Sequence, residues 1–143
     1  MKIQVPKTVS EWNERGKKYL PGLLGFEFTK VELDEVIAQF EVTKQHMAWN
    51  GFLHAGSVVT LADTCCGYGT LNSIPADADG FTTLDLSSNF IGTARKGLVI
   101  CTATAIHRGR TTQVWDATVK SEVSGKVIAK FRCTQLIIWP KGV

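Results

Sequence analysis

The 143-residue chain has no run approaching the roughly 20 uninterrupted apolar residues of a membrane-spanning helix. Its opening, MKIQVPKTVSEWNERGKK, lacks the apolar centre of a secretory leader, so the sequence predicts a cytoplasmic protein without a membrane partner. Basic blocks are missing as well. The 16 Lys and Arg are spread along the chain against 13 Asp and Glu, and a net charge of +3 is too small for a dedicated nucleic-acid binder. An anionic small ligand fits that balance better. Cysteine is scarce: of the four, Cys65 and Cys66 are neighbours and Cys101 and Cys133 stand far off, which suits neither a disulfide framework nor a zinc site. Reduced, buried thiols and no bound metal are expected. Internal repeats and low-complexity segments are absent, and 44% hydrophobic against 20% charged residues is the balance of one compact domain spanning 1–143.

Thr8 and Glu11 form a Thr-x-x-Glu capping box, which predicts a short helix from about Val9 to Tyr19, ended by Pro21-Gly22 and serving as a lid or edge element. GFEFTKVEL and EVIAQFEVT flank Asp34-Glu35 and read as a hairpin. Lys44 to Leu53 carries Asn50-Gly51 and no periodicity, and reads as a loop. From Ala55 to about Ser73 the spacing of Val58, Leu61, Ala62, Cys65, Cys66 and Gly69 is helical, and Pro75 stops the run. Four strands follow, the first with Leu84, Leu86 and Phe90 on one face, the others broken by turns at His107-Arg108-Gly109-Arg110 and Ser124-Gly125. This order implies an α+β fold, with one antiparallel sheet of about six strands wrapped around one long central helix.

Between Ala55 and Ala76 the only side chain charged at neutral pH is Asp63. At 100° per residue, Val58, Ala62, Cys65, Cys66 and Gly69 form one face, while Gly56, Thr60, Asp63 and Gly67 cluster opposite. An ordinary solvent face would hold Lys or Glu. Small uncharged residues instead permit close approach of another surface, so this face is expected to meet a second subunit or a ligand. Asp63 would then be a partly desolvated carboxylate, able to activate water or to attack a thioester carbonyl itself. About two turns upstream, the helix start at Ala55-Gly56 offers free backbone N–H groups and the positive end of the helix dipole to an oxyanion.

The run NGFLHAGSVVTLADTCCGYG, Asn50 to Gly69, resembles the signature of the phenylacetate-pathway-type thioesterases, a hot-dog-fold family in which a loop Asn and an HGG turn precede a helix bearing an acidic residue. FTTLDLSSNFIGTARKG and HRGRTTQVWDATV continue that family's order of strand and Gly-Arg hairpin, so the resemblance covers roughly Gly25 to Trp139. It implies a hot-dog acyl-CoA thioesterase, with no cofactor beyond the coenzyme A carried by the substrate, and the aromatics Trp12, Trp49, Phe52 and Tyr68 suit an aryl- or medium-chain acyl group. Asp63 falls at the catalytic acid, Ala55 at the Gly whose N–H meets the thioester oxygen, Gly56 at the second Gly, and His54 at the histidine that shapes the loop. Two departures stand out. Ala55 replaces Gly, so the turn must suit an ordinary residue; and the family's loop Asn lies three residues before the loop Gly, whereas Asn50 directly precedes Gly51, where it serves either as an orienting amide or as a turn-former.

Thr64 is a weaker candidate, as is Thr83, near whose position relatives place a hydroxyl that assists from the neighbouring subunit. The resemblance thus implies a homodimer or homotetramer with shared active sites. For the phosphates of an acyl-CoA, Arg108, Arg110 and Arg95 lie in exposed turns as candidate contacts. Trp12, Trp49, Phe52 and Tyr68 are candidates to line an acyl pocket. Two other readings remain open from the sequence: a hot-dog enoyl-CoA hydratase or dehydratase using His54 with Asp63, and a non-catalytic acyl-CoA-binding module.

Overall fold

The computed structural model describes residues 3–142. Its centre is helix α3 (Ala55–Ser73), which buries Val58, Leu61, Ala62, Cys65, Cys66, Gly69 and Thr70. The helix ends where Ile74 turns extended, at ψ 151°, as the residue before a proline prefers. Around it runs one antiparallel sheet of β1 (Glu27–Val31), β2 (Glu35–Glu41), β3 (Gly80–Phe90), β4 (Leu98–Arg108), β5 (Thr112–Ser121) and β6 (Val127–Ile138), in the order β1-β2-β4-β5-β6-β3. Alternate residues of the strands, among them Phe28, Val36, Phe40, Val99, Trp115, Val119 and Phe131, point inward and bury against α3. All four cysteines are free thiols within this core.

The helix lies close on the sheet because Gly69 has no side chain. A Cβ there would stand 2.4 Å from the Trp115 ring. Trp115 is fully buried, its indole N–H donating to Gln113 Oε1 at 2.9 Å, and Ser73 Oγ donates to the same oxygen at 3.2 Å. Helix and sheet are therefore fastened at the C-terminal end of α3.

Three elements differ from the sequence expectation. The helix expected over 9–19 is α1 (Val9–Gly16), followed by a separate one-turn α2 (Leu20–Leu23). Pro21 sits in the first turn of α2, where its missing N–H is no loss, so it starts a helix rather than ending one. The segment read as loop contains a 3-10 turn at Lys44–His46. Leu84 does not share a face with Leu86 and Phe90. A bulge between Thr83 and Asp85 takes Leu84 out of the alternation, while Thr83, Leu86 and Phe90 stand opposite the inward-facing Gln135, Cys133 and Ala129.

The two sheet edges are treated differently. Asn13 of α1 covers β1: its Nδ2 donates to Phe28 O at 2.9 Å, and its Oδ1 accepts from Phe28 N at 2.8 Å. The 11-residue β3 has no second neighbour in the sheet, and Leu84, Leu86, Phe90 and, just beyond it, Ile91 are exposed.

Gly69→Ala should lower stability by about 1–3 kcal/mol through overpacking against Trp115, read as a drop in melting temperature.

Candidate active site at the start of the central helix

His54 is the N-cap of α3. Gly56 N–H donates to His54 Nδ1 at 2.7 Å, so the neutral ring carries its proton on Nε2, and Ser57 N–H is taken by His54 O at 3.0 Å. Ala55 N–H has no acceptor among the described residues. Gly56, expected to offer a second free N–H, does not: the His54 ring has taken it. Ala55 itself is helical with negative φ, so the methyl group in place of the family's Gly causes no backbone strain. The turn before the cap is made by Gly51, at φ 86°, and by Asn50, whose Oδ1 accepts from Phe52 N at 3.3 Å. Asn50 is exposed and its carbonyl is used within its own turn.

Asp63 is half-buried, and its Oδ1 is out of contact with solvent and without a hydrogen-bond partner among the described residues. Desolvation raises its pKa above the ordinary carboxylate range, because burial penalises the charged form and no donor compensates. Of the small-residue face around it, Gly67 is covered by this chain's own β3: a Cβ there would lie 3.3 Å from Phe81. Thr64 Oγ donates back to Thr60 O at 2.6 Å, as Thr60 Oγ does to Gly56 O at 2.7 Å, so both hydroxyl protons serve the helix. Thr83 lies on the open edge strand, in register with buried Gln135.

The three arginines separate. Arg95 Nε donates to Gly51 O at 3.3 Å and the guanidinium lies over Phe52, 5.1 Å from its centroid, so it belongs to the loop that leads into α3. Arg108 and Arg110 are at the other end of the sheet. Arg108 pairs with Asp34 at 2.9 Å, whereas Arg110 stacks on Trp139 at 4.3 Å and has no carboxylate partner among the described residues. The aromatics divide as well. Trp12 and Phe28 pack on Tyr68, with centroids 4.8 and 4.5 Å away, and hold α1 to α3. Trp49, fully exposed, and Phe52 remain beside the turn.

One residue of this region was not singled out from the sequence. His46 is buried, with partners on both ring nitrogens, and its carbonyl accepts from His54 N and Ser57 Oγ. The only hint was Thr43 three residues before it, a helix-capping spacing.

A six-stranded antiparallel sheet around one helix is a fold shared with known proteins. The family model of the thioesterase superfamily matches residues 50–128, more than half of the chain. A 1,4-dihydroxy-2-naphthoyl-CoA hydrolase of Listeria monocytogenes is 36% identical over 111 residues, covering 78% of this chain and 89% of its own length. Among solved structures, a thioesterase of Pseudomonas aeruginosa superimposes with a TM-score of 0.87 at 28% identity, covering 94% of this chain and 96% of its own. A thioesterase of Haemophilus influenzae does so with a TM-score of 0.84 at 28% identity, over 93% and 92%. The chain belongs to the thioesterase superfamily, as a thioester hydrolase of the hot-dog fold.

Proposed function

We propose that the protein hydrolyses an aryl- or medium-chain acyl-CoA to the free acid and coenzyme A, with Asp63 as general base or nucleophile and Ala55 N–H as oxyanion donor. The observation that carries this reading is the unpaired, desolvated oxygen of Asp63 on the same helix as an unpaired N–H. A carboxylate whose pKa is raised by burial is a stronger base than an exposed one. The Listeria relative, a hydrolase of an aryl-CoA, supports the substrate class, as do Trp49 and Phe52 beside the turn.

The spacing along α3 supports a shared site. Ala55 and Asp63 are eight residues apart, which at 1.5 Å per residue is ~12 Å along the axis. A thioester carbon needs both groups within about 3 Å. One helix does not serve both roles at one carbon, so Asp63 of one protomer works with the Ala55 turn of its partner. The open β3 edge is the surface for that pairing, since its unpaired backbone groups and exposed Leu86 and Phe90 match a second copy of themselves about a two-fold axis. Antiparallel pairing of two β3 strands also brings the Arg110 hairpin of one protomer to the end where Arg95 lies in the other. Arg95 and Arg110 are then the cations for the coenzyme A phosphates, and Arg108 stays with Asp34.

Purified protein should release thiol from benzoyl-CoA or a medium-chain acyl-CoA, detected with a thiol reagent. Asp63→Asn should lose about 10²–10⁴-fold in kcat. Its melting temperature should not fall, because the variant removes a desolvated, uncompensated charge. The raised pKa disfavours the active carboxylate at low pH, so kcat/KM should fall on acidification at a pH above the ordinary carboxylate range, and Asp63→Asn should abolish that limb. Full activity of Asp63→Asn would refute the mechanism.

Leu86→Glu on the open edge should yield monomers by light scattering and abolish turnover. Ala55→Pro removes the N–H at a helix position where proline is tolerated and after a His54 already extended at ψ 132°, so it should cost kcat while the fold holds. Refolding Asp63→Asn with Ala55→Pro should restore about a quarter of wild-type activity, since half the dimers are mixed and each has one intact site. No recovery would refute the shared site.

A further inference from the structure

The Ala55 N–H points to one place only if the turn before it is held, and the groups that hold it converge on His46. The His46 carbonyl accepts from His54 N at 3.0 Å and from Ser57 Oγ at 2.9 Å, so a single oxygen grips the residue before Ala55 and the second residue after it. The ring is fixed independently of that carbonyl. Thr43 N–H donates to Nδ1 at 3.0 Å, with Thr43 Oγ1 at 3.1 Å from the same nitrogen. An Nδ1 that accepts leaves the ring proton on Nε2, which donates to Leu24 O at 2.6 Å, at the end of α2. One ring face stacks on Phe40 of β2, centroids 4.2 Å apart and planes 20° from parallel. His46 is 4% exposed. It has no open side to offer a substrate.

We propose that His46 is a positioning residue for acyl transfer: its ring anchors the 3-10 turn to α2 and β2, and its carbonyl transmits that anchorage to the Ala55 N–H. The inference rests on the reading of Ala55 as the oxyanion donor. A donor is useful only where the developing charge will lie, and misplacement by about 1 Å costs on the order of 10²-fold in rate. Binding of the substrate tail, through Arg95 and the aromatics, is built from other residues. Loss of His46 should therefore reduce kcat and leave KM nearly unchanged. Because the turn serves the partner's carboxylate, the damage should be felt in the partner's half of the site.

The test uses His46→Ala, His46→Asn and His46→Gln in the full chain, beside Ala55→Pro. Asn keeps an acceptor where Nδ1 stands, and Gln keeps a donor where Nε2 stands, so each preserves one anchor. Expected are a fall in kcat of about 10- to 100-fold for His46→Ala with KM within about threefold, and intermediate values for Asn and Gln. If His46→Ala does not fold, the Asn and Gln variants carry the same kcat-against-KM comparison. Refolding His46→Ala, or His46→Asn in its place, together with Asp63→Asn should recover activity toward about a quarter of wild type, because the mixed dimer pairs an intact turn with an intact Asp63. Wild-type kcat in the His46 variants while Ala55→Pro is inactive overturns the role of His46 alone. So does a rise in KM at constant kcat, or a His46 mixture that fails where the Ala55→Pro mixture succeeds. Full kcat in Ala55→Pro overturns the donor assignment beneath it.

Discussion

The seat of the central helix on the Trp115 indole is the contact on which the rest depends. Gly69 permits it, because any side chain there would overlap the ring. With the helix this low in the sheet, Asp63 is half-buried and its Oδ1 meets no donor among the described residues. The same closeness puts the helix start against the 3-10 turn and the His46 carbonyl. The chemistry of the carboxylate and the aim of the Ala55 N–H are thus both consequences of packing, since burial changes a pKa and fixes a direction at once.

The sheet edges carry the next consequence. A strand with an unpaired edge invites another strand, and the chain guards one edge with Asn13 while leaving the other bare. The open edge is the strand whose inner face borders α3, at Phe81 against Gly67. A protomer that pairs there joins its partner beside the helix that bears Asp63. In the proposed mechanism the ~12 Å between Ala55 and Asp63 along one helix is what calls for that pairing, because one protomer alone would not bring both groups to one carbon.

Much of this was legible in the residues. The lone charge in a 19-residue helix, its periodicity and the Pro75 stop are local properties, and local spacing determines a helix and its faces. The alternation of β4 to β6 is equally local. Reading failed where a long-range partner decides. Leu84 left its expected face because a bulge interrupts the pairing of β3 with β6, and the packing of Trp12 on Tyr68 joins residues 56 positions apart. Gly56 gave its N–H to the side chain two residues before it, which a motif does not record.

By itself, then, the sequence determined the class of fold, the one carboxylate on the central helix and the turn ahead of it, because these follow from periodicity and from residue types at short spacing. Tertiary structure alone decided which groups remain free to act. Arg108 is neutralised by Asp34, 74 positions away in the numbering, while Arg95 is gathered to Gly51. His46, unremarkable in a polar stretch, becomes the anchor of the helix start through Leu24 and Phe40. Hydrogen bonds and stacking depend on distance in space, and only the folded chain sets that distance.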